Sequence, residues 1–239
     1  LFMLPFLAVF LTFTIVPVFL SIALSLTRFD VVQSPVFIGF SNYTRLLMDD
    51  QLFIIALKNT LLISLITGPL GFFLCILLAW LLNEIGNRTR SFLTLLFYAP
   101  TISGGAYMIF QILFSADSYG FLNGFLINLG LISTPINWLG DTEYMMPTAI
   151  ILILWMSFGS GFLSLIAGFK NMDRRLYEAA AIDGVKNRYQ EMWYITLPSM
   201  KPHLMFASVM SITGSFGVGD LLSAVFGFPS ANSAVYTLA

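Results

Sequence analysis

The sequence predicts an all-α polytopic membrane protein on three observations: an apolar composition, five apolar runs of spanning length, and a lopsided distribution of basic residues. Hydrophobic residues make up 58% of the 239, charged residues 10%, and mean hydropathy is +0.87. A soluble domain carries about a quarter charged residues, so a single soluble core does not absorb this much apolar surface. A net charge of -1, with Arg174-Arg175 as the longest basic cluster, leaves no electrostatic footprint for nucleic acid. Cys75 is the only cysteine and lies in an apolar run, which excludes an intramolecular disulfide and a thiolate zinc site.

A helix needs roughly 20 mostly apolar residues to cross about 30 Å of hydrocarbon. The runs fall near residues 3–26, 55–82, 93–115, 147–169 and 203–222, and the whole chain 1–239 reads as a single transmembrane domain. The first run is too long for a signal peptide, lacks a basic leader and carries Pro17 at its middle. Because the sequence opens inside an apolar run without methionine and stops just after a polar turn, an earlier start and a sixth helix are expected.

Orientation follows from charge. With the segment before Phe2 on the inside, the inner loops hold Arg88, Arg90, Lys170, Arg174, Arg175, Lys186, Arg188 and Lys201, and the outer segments only Arg28, Arg45 and Lys58. The positive-inside rule then predicts a cytoplasmic N-terminus.

The inner loop from Lys170 to Pro202 is long and patterned. Asp173 is placed as an N-cap, Arg174 to Ile182 are mostly good helix formers, and Gly184 suits the left-handed residue that ends a helix. Asn187 followed by Gln190 approximates a capping box for a second helix, which Pro198 is expected to stop. The first helix carries a small face of Ala179, Ala180 and Ala181 beside Leu176, Tyr177 and Ile182, with Glu178 and Asp183 as isolated acids. Periodicity leaves two readings open: a helix resting on lipid headgroups, or a surface that another body approaches closely.

At this point the sequence resembles a family. EAAAIDG at Glu178 to Gly184, followed by ITLP at Ile195 to Pro198, looks like the EAA loop of binding-protein-dependent ABC importer permeases. LPFLAVFLTFTIVPVFLSIALSLTRFD near the start, FIGFSNYTRLL from Phe37, ALKNTLLIS from Ala56, LLNEIGNRTRSFLTLLFYAP from Leu81 and NWLGD from Asn137 resemble the carbohydrate branch, similar to maltose and sugar permeases. One departure stands at Phe226 to Ala234, where FGFPSANSA replaces the Gly-Gly-Pro turn common in simple sugar permeases and points toward an oligosaccharide-type branch.

The resemblance implies the importer permease fold in a bacterial inner membrane, with loop 170–202 at the cytoplasmic face. It implies that Glu178, Ala179, Ala180, Asp183 and Gly184 form a coupling helix seated on a cytoplasmic ATPase. The implied partners are two ATP-binding subunits, a second and different permease chain, a solute-binding protein landing on segments 28–54 and 116–146, and membrane lipid. ATP and Mg belong to the ATPase subunits. This chain carries no GxxxxGK[ST] loop, and no cofactor or catalytic residue is assigned to it.

Polar groups within a span are costly unless they face protein or water, so they mark candidate path residues. Resemblance places sugar contacts in the span after the EAA loop, which makes Ser211, Thr213 and Ser215 candidates. Hydroxyls offer both donor and acceptor to a sugar. Ser160 in the fourth span joins them, although the neighbouring Ser157, Gly159 and Gly161 read first as close helix packing. Tyr107 and Gln111, one helical turn apart, either share a cavity face or bridge helices. Asp220 reads as a cap or loop anchor. His203, the only histidine, reads as an anchor at the inner interface, and Tyr98, Trp138 and Trp193 as interfacial aromatics.

Two other classes compete. An ion-coupled secondary transporter working without an ATPase needs a buried acid or a broken-helix ion site near the midplane, and the first four spans hold no such acid. An intramembrane enzyme needs convergent catalytic groups, which one peripheral histidine does not supply.

Overall fold

The computed structural model describes residues 2–227 and 233–238, and the chain divides into two compact units, 1–54 and 55–239. In the first unit, helices α1 (Leu4–Phe10) and α2 (Val16–Ser25) form one apolar rod through a π-turn at Leu11–Ile15, with no residue buried. Pro17 lies in the first turn of α2. It lacks an amide hydrogen and its ring crowds the preceding turn, and the wider π spacing relieves that crowding. A short antiparallel ladder follows, β1 (Thr27–Arg28) against β2 (Val36–Phe37), and then α3 (Ser41–Met48). Asn42 fastens the hairpin by donating to the carbonyls of Ser25 and Thr27, each at 2.9 Å.

Helix α4 (Gln51–Asn83) starts on Asp50, whose carboxylate accepts the Phe53 amide at 3.0 Å. The third run is not one straight helix: α5 (Asn87–Ile102) and α6 (Ala106–Leu113) meet at 98°. Pro100 removes an amide near the end of α5, Ser103 is extended, and Gly104-Gly105 gives the chain freedom to turn. A further helix, α7 (Phe121–Asn128), lies in the segment expected to be an outer loop.

The fourth run divides into α8 (Thr142–Met156) and α9 (Ser160–Lys170), bent by 43°. Next come the loop helices α10 (Arg174–Ile182), α11 (Arg188–Glu191) and α12 (Leu197–Ser199). The last run divides into α13 (Lys201–Phe216) and α14 (Gly219–Phe226), bent by 48°. Leu4–Ser25 and Gln51–Asn83 are each long and apolar enough to span alone, and counting each bent pair as one span gives five. Of the FGFPSANSA departure, residues 228–232 lie outside the described residues.

Pro198 does not stop the second loop helix. A π-turn at Met192–Thr196 widens the coil ahead of it, Pro198 is taken into the first turn of α12, and the break comes at Met200. Proline in a first turn forfeits only an amide that had no helical partner.

Helices α4, α9 and α13 share a core of Cys75, Ala79, Leu82, Phe158, Phe162, Leu165, Phe169, Met200 and Ala207. The α9–α13 pairing is the most extensive in the unit. Gly161 makes it possible: a Cβ there would meet the Ala207 Cα at 3.1 Å. Close approach through small residues is how helices associate where lipid is as apolar as leucine. The outward surface is correspondingly apolar, with Leu65 at 78%, Phe73 at 64% and Met205 at 71% exposure.

Candidate functional site

Both bends, α8–α9 and α13–α14, open on the same cavity of about 390 Å³. Its walls bring together Ser160, Ser211, Thr213 and Ser215, four of the residues singled out from sequence, and add Thr67, Thr101 and Ser157. The breaks arise locally. Gly159 takes φ -99, ψ -144, a conformation that ends α8–α9 continuity, and Gly217 closes α13 at φ -93, ψ 42. Irregular backbone at membrane depth is tolerated where it lines a cavity, and these breaks do.

Six of these seven hydroxyls, all but that of Ser160, are already engaged as donors. Ser211 Oγ donates to the Gly68 carbonyl at 2.7 Å, tying α13 to α4. Thr213 donates to Val209 O at 2.8 Å, Ser215 to Ile212 O at 2.7 Å, Ser157 to Leu154 O at 2.6 Å and Thr67 to Ile63 O at 2.8 Å. Thr101 crosses to the α8 end, donating toward Phe158 O at 3.2 Å. Each oxygen keeps lone pairs, so in this arrangement the walls present acceptors. Thr67 and Thr101 were missed from sequence, although each is a hydroxyl beside a helix-disturbing Gly or Pro, which is the available signal.

Tyr107 and Gln111 stand outside this cavity. Gln111 Nε2 donates to the carbonyls of Ala224 and Val225, at 3.0 and 3.3 Å, where α14 ends, and Tyr107 packs against the core of Ala106, Phe110 and Phe114. Gln111 thus bridges helices. His203 bonds Ser164 Oγ across the α9–α13 pair at 3.0 Å, which makes it a link between those helices. Asp220 lies in the first turn of α14, where a carboxylate complements the helix dipole.

The α10–α11 hairpin forms the second part of the site. Asp173 accepts the Arg175 amide at 3.0 Å and opens α10. Its end is a Schellman motif: Val185 N–H donates to Ala180 O at 3.0 Å, Gly184 N–H to Ala181 O at 3.4 Å, and Gly184 has φ +94. Asn187 Oδ1 then accepts the Gln190 amide at 2.8 Å while Gln190 Oε1 accepts the Lys186 amide at 2.9 Å, a reciprocal cap for α11. Within α10 only Ala180 is buried, so Glu178, Ala179, Ile182, Asp183 and Gly184 are presented outward. Ile182 is 88% exposed.

Three contacts hold the hairpin to the helices beneath. Tyr177 OH bonds Thr196 Oγ1 at 2.9 Å, Trp80 meets Tyr189 edge to face at 5.8 Å, and Arg188 pairs with Glu84 at 3.0 Å and Glu191 at 3.2 Å. Arg90, read from sequence only as an inner charge, caps α4 by donating to the carbonyls of Leu82, Asn83 and Ile85.

Asn123 at the opposite end of the unit was also missed. It is fully buried and knits the α6–α8 connection, donating to Ser115 O at 3.0 Å and Ile136 O at 2.9 Å. Its Oδ1 accepts from the Trp138 indole at 2.9 Å and the Ile136 amide at 3.2 Å. Trp138 is thus committed to this loop and not to a lipid belt.

Residues 68–237, which include both bends and the hairpin, match the family described as "Binding-protein-dependent transport system inner membrane component". The chain belongs to that family. Among relatives of this permease chain, the probable ABC transporter permease protein YesP of Bacillus subtilis (strain 168) is 34% identical over 215 residues, covering 89% of this chain and 68% of that one. The lactose transport system permease protein LacF of Rhizobium radiobacter is 32% identical over 222 residues, 92% of this chain and 73% of LacF. A solved bacterial ABC transporter involved in import of the acidic polysaccharide alginate aligns with TM-score 0.79 at 26% identity, covering 99% of this chain and 79% of its own.

Proposed function

We propose that this permease forms half of the translocation path of an ATP-driven importer for a sugar or oligosaccharide, and takes its drive through the α10–α11 hairpin. Its relatives include a lactose permease and arabinooligosaccharide permeases, and the aligned solved structure moves alginate, so a carbohydrate is the reading that fits them together. The N-terminus and the hairpin lie on the cytoplasmic side in this reading, in keeping with eight of eleven basic residues on the inner segments. The partners are two ATPases bearing ATP and Mg, a second permease chain, and an outer solute-binding protein. A related alginate transporter has been solved with its periplasmic protein bound.

The observation that carries this is the hairpin: a capped, nine-residue helix with one buried residue, closed by a left-handed glycine. An interfacial helix would show a broad apolar face, whereas α10 sets only Leu176 and Ile182 outward as large apolar side chains, among Arg174, Arg175, Glu178 and Asp183. Glu178 is exposed and enters no ion pair among the described residues, which leaves its charge for a partner.

The mechanism follows from geometry. Closure of the ATPases moves α10, and α10 is continuous in sequence with α9 on one side and, through α11 and α12, with α13 on the other. Those two helices carry two walls of the cavity, so displacement of the hairpin alters the space between Ser160 and Ser211–Ser215. Glu178→Lys is the test. The variant should insert normally, lose association with the ATPases in a pull-down from membranes, and lose ATP-dependent uptake of radiolabelled sugar in vesicles. Unaltered association and uptake would overturn the coupling role.

A further inference from the structure

If the cavity at the two bends is the sugar path, as proposed above, its chemistry narrows the cargo further. None of the described residues lining it is Asp, Glu, Lys, Arg or His. The side-chain hydroxyls of Ser157, Ser211 and Thr213, which are not buried, each donate to a backbone carbonyl and so keep acceptor lone pairs for the space, while Thr67 and Ser215 donate likewise but are buried in the wall. Phe72 supplies apolar surface that suits the C–H face of a pyranose ring. The N-terminus of α9, at Ser160, offers backbone donors, but the C-terminus of α8, at Met156 and Ser157, meets it across the same break with the opposite partial charge.

A neutral sugar brings many O–H donors to such walls and leaves none of its own charge unpaired. A uronate brings a carboxylate that meets acceptor oxygens, an aromatic face and no cation. An ionised carboxylate withdrawn from water without a partner is strongly disfavoured, so exclusion is as much a part of specificity as attraction. We propose that this permease selects neutral glycans and rejects uronate-bearing ones at the α8–α9 and α13–α14 bends. The alginate importer, at 26% identity, supports the carbohydrate class and the fold, and leaves the residues of the lining free to differ.

The experiment reads the cavity's charge preference without depending on which sugar the solute-binding protein delivers. Thr213→Cys is placed in a Cys75→Ala background, and the permease is assembled with its companion chain and ATPases in proteoliposomes. The cysteine is treated with methanethiosulfonate reagents of matched size that are neutral or anionic, and each rate is divided by that for a free thiol in solution. The anionic reagent should react about tenfold more slowly or worse than the neutral one. A neutral disaccharide should slow the neutral reagent, and the corresponding uronate at the same concentration should not.

Equal normalised rates, or equal protection by the uronate, would overturn charge exclusion while leaving the path intact. No reaction with any reagent, in an assembly that still hydrolyses ATP, would overturn the path reading itself. Ser211→Cys in the same background repeats the measurement should Thr213→Cys fail to assemble.

Discussion

Gly184 gives the sharpest prediction about how the hairpin holds its shape. Its φ of +94 lies in the left-handed region, and no atom stands within 4 Å of where a Cβ would go, so the effect of substitution is on the backbone and not on packing. An L-residue there is disfavoured by about 1–2 kcal/mol, which sets the expected cost of Gly184→Ala. Gly184→Pro is harsher. It fixes φ near -65°, removes the N–H that donates to Ala181 O, and pushes Asp183, now at φ -72 and ψ 0, out of its helical conformation. The turn between α10 and α11 is then lost, for a total of about 3 kcal/mol or more.

Because 1.4 kcal/mol is tenfold in an equilibrium, the alanine variant should weaken ATPase association by roughly five- to thirty-fold and the proline variant by a hundred-fold or more. Association is measured by titrating purified ATPase onto permease in nanodiscs, with uptake followed in parallel. A proline variant that binds ATPase and transports like the unmodified chain would refute the reasoning, since it would show that the left-handed turn does not set the docking surface.

Two further outcomes follow. Gly161→Val drives a branched side chain into the Ala207 backbone, 3.1 Å from the first added carbon, and should cost about 1–3 kcal/mol of α9–α13 packing, read as a lowered unfolding midpoint in detergent. Asn123→Ala leaves the Trp138 indole and the Ile136 amide without their acceptor, and should destabilise the α6–α8 connection by about 1–3 kcal/mol, seen as faster hydrogen exchange over residues 115–141 with hydrogen exchange at α9 and α13 unaltered.

The hairpin was legible in the sequence because its signals are local. Asp173, Gly184, Asn187 and Gln190 act within a few residues of themselves, and each makes the bond that its position implies. The spans were legible as runs but not as shapes. Ser157 and Gly159 read first as close packing, whereas the structure puts a break there, which only the tertiary setting reveals. The π-turn that carries Pro198 into a helix depends on how the coil ahead of it is wound, which composition does not record. Asn123 was hidden for a different reason. Its partners are six to fifteen residues away and mostly backbone, so its neighbours in sequence show only a polar residue in a loop.

The tight seam at Gly161 and Ala207 has a mechanical consequence. Two rods clasped at that point resist sliding and tilt as one shaft, while their i→i−4 ladders are interrupted beside the seam at Ser157–Gly159 and, at the far end of α13, at Gly217–Val218. Bending stiffness is lowest where those bonds are missing. If the hairpin is driven as proposed above, its torque reaches the cavity wall with little lost along the way, and the compliance of the bundle is concentrated around the cavity.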